Sequence, residues 1–367
     1  MVFPSYLFRL SQAIGLCNYK YVPERGRFKW DKGPMRIYCI VLHIIYVLLT
    51  PCAFSMMLQD YYDCQKLEML AIAYSIVSTA KVASVVMLIS SIWLIGRKWL
   101  RMVNGFKMFQ HIYRRELSGR VNLWQHVFKI PLTISRFAIL FIQLFGPASI
   151  FMCEKFDGMR AQFAPLYVIL SLGIALMEVL LTSVDYWLYY LMHLSNRVLG
   201  FMSEETQEIR QDLNWLPQRG GSHRNVFQQQ LLAAWHKLWS RCLRLDRLIN
   251  EMLKISQWQI LLNFLFIIFG VNRSQWTNLL TCMEKLWFTL SDLNFDPTRD
   301  TYGIALQRQM SFAIMAINRR QHRRQDRVRL LQIAGLFDMN PRSGYKMSTN
   351  IAMNVVILWQ IAYKYYY

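Results

Sequence analysis

Few residues of this chain are placed to do chemistry, and those few lie inside apolar runs. Gln360 follows Val355, Val356, Ile357, Leu358 and Trp359 in a stretch whose nearest charge is Lys364. A polar side chain in such a setting marks a functional position, because an unpaired polar group is costly in hydrocarbon. Lys81 and Glu178 lie inside two other runs, about eleven and about thirteen residues from the corresponding ends, depths that nearly coincide at about 1.5 Å per residue. A buried ion pair is one reading; the other has each side chain facing a water-filled cavity. His43, in the first run, reads as a hydrogen-bonded packing residue. Tyr74, Phe145, Tyr167, Phe266 and Phe269 fall in the matching halves of their runs. Aromatic residues there serve as packing or as an interfacial belt, and they are also what a pocket for a small organic ligand needs.

Catalytic chemistry has no foothold. The sequence has no G-x-S-x-G, H-E-x-x-H, P-loop or G-x-G-x-x-G, so no catalytic residue, cofactor or metal ligand is assigned and the chain is read as a non-enzyme. The 7 Cys show no metal-ligand spacing and read as small buried hydrophobes, with Cys64 and Cys153 the one pair considered for a disulfide.

Composition says what must position these residues. Apolar residues make up 54% of 367 and charged residues only 17%, which points to an integral membrane protein. The formal charge of +20 does not indicate nucleic acid, because the bases flank the apolar runs. Runs of about 20 residues, enough to cross roughly 30 Å of hydrocarbon, occur at 37–58, 70–95, 130–152 and 165–191; a shorter one lies at 258–271. Segments 1–36, 97–129 and 193–254 hold 7, 8 and 9 Lys and Arg, against 1 and 2 in the loops around Lys66 and Lys155. The positive-inside rule then puts the N-terminus in the cytosol. Because the cluster from Arg319 to Arg329 must also be cytosolic, one more crossing is required, and 276–293 is assigned to it with Glu284 and Lys285 facing protein.

The result is an all-α membrane protein of seven spans, N-terminus in and C-terminus out, opposite to a G-protein-coupled receptor. Its parts are a cytosolic segment 1–36, spans one to four in 37–191, a cytosolic amphipathic region 192–256, spans five and six in 257–293, a cytosolic helix in 304–340 and a seventh span in 345–367. In the amphipathic region Trp235, Leu238, Cys242, Leu245, Ile249 and Leu253 recur at helical spacing, opposite Lys237, Arg241, Arg244 and Arg247. This is a packing helix, with lipid-surface binding as the alternative. A break is expected in 211–225, around Pro217, Gly220 and Gly221.

Gly335, Leu336 and Phe337, then five hydrophobic residues and Gln360, resemble the C-terminal signature of the insect gustatory receptors, with Met353, Asn354 and Ile361 where that family has Thr, Tyr and Phe. The resemblance implies a homo- or heterotetrameric ligand-gated cation channel in the plasma membrane of sensory neurons, opened by a small-molecule tastant. It implies that the seventh spans form the pore, lined or gated by Gln360, Val356 and Leu358, with cytosolic helix extensions holding related subunits together. An insect odorant receptor of the same superfamily and a non-conducting receptor or transporter remain alternatives.

Overall fold

A computed structural model describes residues 5–31, 33–64, 68–119, 154–215 and 222–264, together with scattered positions in 279–338; within 53–78, 154–172 and 257–264, and at single positions that include 81 and 178, it describes the backbone only. Its elements are α1 (Ser5–Ala13), a hairpin of β1 (Tyr19–Val22) and β2 (Arg27–Trp30), α2 (Pro34–Cys64), α3 (Glu68–Ile112), α4 (Arg114–Gly119), α5 (Glu154–Trp215), α6 (Ser222–Phe264) and a hairpin of β3 (Gln332–Ile333) and β4 (Phe337–Asp338). Helical residues also occur between 279 and 290 and between 304 and 315. The chain is mostly helical, as composition implied, with two small hairpins that it did not.

The helices are longer than a bilayer requires. About 20 residues suffice for a crossing, whereas α3 has 45 and α5 has 62. Each therefore continues well past its apolar run. Among the described residues, Val82–Ile112 is the one helical stretch long and apolar enough to cross a membrane, and Pro34–Leu49 is a shorter apolar helix. The apolar part of the former ends at Ile95, where Arg97 and Lys98 begin.

Helix α2 is built inside out. Ile37 is 66% exposed and Leu48 63%, with Val41 and Ile44 exposed between them, while His43 on the opposite face is 4% exposed. The exposed positions follow one another at the spacing of a single helical face. A helix that hides its polar group and shows a continuous apolar stripe suits hydrocarbon rather than water.

Beyond the apolar runs, α3, α5 and α6 pack together as a bundle. Met102, Phe106 and Phe109 of α3 meet a core with Val198, Met202 and Ile209 of α5 and Trp235, Leu238, Cys242, Leu245 and Ile249 of α6. The apolar stripe of 192–256 is thus a packing stripe. Lys237, Arg244 and Arg247 are exposed, and Arg241 is drawn into the bundle. A Cβ on Gly105 would come within 2.6 Å of Leu248 Cδ2, so the missing side chain is what lets α3 and α6 approach. Of the range 211–225 where a break was expected, 211–215 belong to α5 and 222–225 to α6, and 216–221 lie outside the described residues.

Leu279, Met283, Leu286 and Leu290 are buried, and Glu284, Lys285 and Phe288 are exposed. This corrects the expectation that Glu284 and Lys285 face protein. A buried stripe at offsets of four, seven and eleven, with charges on the other side, is the pattern of an amphipathic packing helix.

Candidate functional site

The best-defined site is built by residues ahead of the first apolar run. After α1 the chain turns at Gly15, whose φ of 76° is left-handed and whose added Cβ would meet Leu42 Cδ2 at 2.8 Å. Glycine satisfies both constraints. The turn drives residues 14–19 between α2, α3 and α5, where all six are buried.

Hydrogen bonds from each helix fix this wedge. From α2, His43 Nε2 lies 2.9 Å from the Gly15 carbonyl, Tyr46 donates to Ile14 O at 3.3 Å and Tyr38 donates to Ala13 O. Since Trp93 of α3 donates its indole N–H to His43 Nδ1 at 2.8 Å, Nε2 must carry the proton and donate to Gly15. His43 is therefore a neutral link between two helices and the wedge, the packing role expected of it. From α5, Trp187 donates to Ser11 Oγ at 2.6 Å, and Tyr19 donates to Gly96 O of α3 at 3.2 Å.

The following hairpin is held from the side. Tyr19 pairs with Trp30 and Tyr21 with Phe28. Asn104 of α3 accepts from Phe28 N at 2.8 Å and donates to Phe28 O at 3.0 Å, so a side-chain amide acts as a third strand. Lys107 Nζ stands 3.3 Å from the centre of the Tyr21 ring, a cation–π contact on the same face.

Under the wedge is a small, partly open cavity, lined by Phe8, Leu16, Cys17, Tyr19, Leu88, Ile92, Trp99, Val103, Val184 and Trp187. No lining residue is charged. Burial, and secondarily Cys39, push the Cys17 thiol up to about 12, so it stays protonated. Burial also holds the Tyr19 hydroxyl well above its ordinary value. Beside the cavity Asn18 is 1% exposed, and neither of its amide atoms has a hydrogen-bond partner among the described residues.

Further along the bundle a polar junction ties the three extensions. Arg241 of α6 donates to Glu205 of α5 at 2.9 and 3.2 Å and to the hydroxyl of Tyr113, at the α3–α4 joint, at 3.2 Å. Burial and the Glu205 carboxylate raise the Tyr113 hydroxyl well above its usual range, outweighing Arg241, which keeps it a neutral donor and acceptor. No group of three or more potential metal ligands occurs among the described residues.

The residues singled out from sequence fall elsewhere. Gln360, Val356, Leu358, Phe145, Phe266 and Phe269 lie outside the described residues. Tyr74 and Lys81 lie on α3, and Tyr167 and Glu178 on α5, with side chains outside the description. The two helices do pack together. The wedge was missed because its partners are 25 to 176 residues away in sequence. The hairpin did leave a signal, the alternation in Tyr19 to Val22 and Arg27 to Trp30 around Pro23 and Gly26.

The sequence model of the 7tm chemosensory receptor family matches residues 5–273. The chain belongs to that family. The chemoreceptor is also 31% identical to gustatory receptor 58c of Drosophila melanogaster over 407 aligned positions, covering 98% of this chain and 97% of the relative. Because those positions outnumber the 367 residues here, the relative carries stretches that this chemoreceptor lacks. Both similarities mark a receptor and not an enzyme, and the family supplies the membrane setting that α2 suits.

Proposed function

We propose that this chemoreceptor is a gustatory receptor acting as a tetrameric ligand-gated cation channel in the plasma membrane of sensory neurons. A small-molecule tastant opens it. The observation that carries the reading is the end-to-end identity with a gustatory receptor. Two features support it. The exposed apolar stripe of α2 suits lipid, and the α3, α5 and α6 extensions form a bundle of the kind that could hold subunits together. On this reading the N-terminal segment and the bundle are cytosolic, since they carry the basic residues, and the C-terminus is outside.

Gln360, Val356 and Leu358 then line or gate the pore. A hydrophobic ring closes a pore by dewetting, and a polar group sets what passes. Tyr74, Phe145, Tyr167, Phe266 and Phe269 are assigned to the tastant pocket, and Lys81 with Glu178 to a buried pair between α3 and α5. The tastant opens the channel only by binding the open state more tightly than the closed one. The test is whole-cell recording with a panel of tastants, from the chain alone and with related subunits. Tastant-evoked cation current supports the proposal; saturable tastant binding without current under either condition sinks it.

A further inference from the structure

The cavity under the N-terminal wedge is not the outward tastant pocket proposed above, and its chemistry is different. On α3 it is lined by Leu88, Ile92, Trp99 and Val103, offsets of four, eleven and fifteen that keep all four on one helical face along about 22 Å of axis. The lining crosses a boundary. Leu88 and Ile92 belong to the apolar run, whereas Trp99 and Val103 follow Arg97 and Lys98. On the orientation proposed above, the cavity therefore sits at the edge of the bilayer on its basic side, with lining residues on both sides of that edge.

Small organic ligands are oriented by a few convergent polar groups in a largely apolar wall. Here Trp187 and Tyr19 already donate, to Ser11 and to Gly96, and no charged side chain faces in. Carbon is what the wall offers. Trp99 stands at the level where indoles meet lipid carbonyls, so the occupant's polar end belongs there and its apolar end between Leu88 and Val184. In a bilayer the hydrocarbon in greatest excess at that depth is the acyl chain of a lipid.

We infer that this cavity takes one acyl chain of a membrane lipid from the leaflet bordering the basic helix ends, wedged between α3, α5 and the N-terminal segment. A lipid held there contacts two long helices and the wedge that ties them. The inference uses the membrane orientation proposed above but not conduction, and its test does not read current.

The chemoreceptor is reconstituted in nanodiscs of phosphatidylcholine bearing a diazirine near the end of one acyl chain, illuminated, and the adducts are mapped. Adducts on the Leu88, Ile92 and Val184 walls are expected, with labelling there about tenfold lower in Val184→Phe, whose larger ring fills the space. Leu94, 85% exposed on the far side of α3, serves as the internal reference for general lipid contact and should label alike in both. Adducts confined to Leu94 and the outer face of α2 in the wild-type protein would overturn the inference without any variant. Cavity labelling by a free diazirine alkane, but not by the lipid-borne probe, would overturn the lipid source. Equal cavity labelling in wild type and a folded Val184→Phe would also count against it.

Discussion

Replacing Asn104 by Leu removes an amide that both accepts from and donates to the backbone of Phe28, at 2.8 and 3.0 Å, while nearly preserving volume. Each such bond is worth a net of about 1 kcal/mol, and both break together when the hairpin lifts from α3, giving about 2 kcal/mol. The Lys107 contact with Tyr21 survives the substitution and contributes about 0.5–1 kcal/mol, and buried Tyr19 keeps the wedge end seated. The hairpin should therefore stay folded but open more often. A change of about 2 kcal/mol corresponds to roughly 30-fold in the opening equilibrium. Hydrogen–deuterium exchange of the peptide covering residues 26–31, in detergent or nanodiscs, reads that equilibrium directly. Exchange should accelerate by about that factor for Asn104→Leu and by less for Asn104→Asp, which keeps one acceptor. Unchanged exchange in Asn104→Leu would show that the amide does not hold the hairpin, and would remove the third-strand role assigned to it.

Other substitutions probe separate parts of the molecule. Gly105→Val places branched carbon where even a Cβ lies 2.6 Å from Leu248; overpacking of about 1–3 kcal/mol should lower the midpoint of thermal unfolding, and a midpoint equal to wild type would mean that α3 and α6 are not in close contact. Asn18→Leu removes a buried amide that has no partner among the described residues and should leave that midpoint unchanged or raise it, since burying an unpaired amide costs about 1–3 kcal/mol; a clear fall would reveal a partner for Asn18. Replacing Lys81 or Glu178 alone should reduce surface expression and exchanging them should restore part of it, because breaking a buried pair strands a charge; equal losses in single and exchanged variants would show that they never meet.

What the sequence made legible was whatever repeats locally. The apolar runs at 37–58, 70–95 and 165–191 lie within α2, α3 and α5, and the stripe from Trp235 to Ile249 is buried as its spacing required. His43 was readable as a packing residue because an imidazole inside an apolar run must find partners, though not that these would be Gly15 and Trp93. The wedge and the cavity beneath it depend on contacts between segments far apart in sequence, such as Ser11 with Trp187, and no local pattern encodes them. Glu284 and Lys285 were assigned inward because 276–293 was needed as a crossing to bring the Arg319 cluster back to the cytosol. The buried stripe of Leu279, Met283, Leu286 and Leu290, with both charges outside, follows helical amphipathicity instead.

The central claim is a cation-conducting pore formed by the last span, and Gln360 is where it can be tested most directly. In a homotetramer a single substitution there acts four times around a shared axis. Reversal potentials measured in cells expressing wild type, Gln360→Ala and Gln360→Glu at matched surface levels should differ, with the carboxylate ring favouring divalent over monovalent cations. Unchanged permeability and gating in both variants would contradict a pore at Gln360 and leave the amide as an interhelical hydrogen bond worth about 1 kcal/mol.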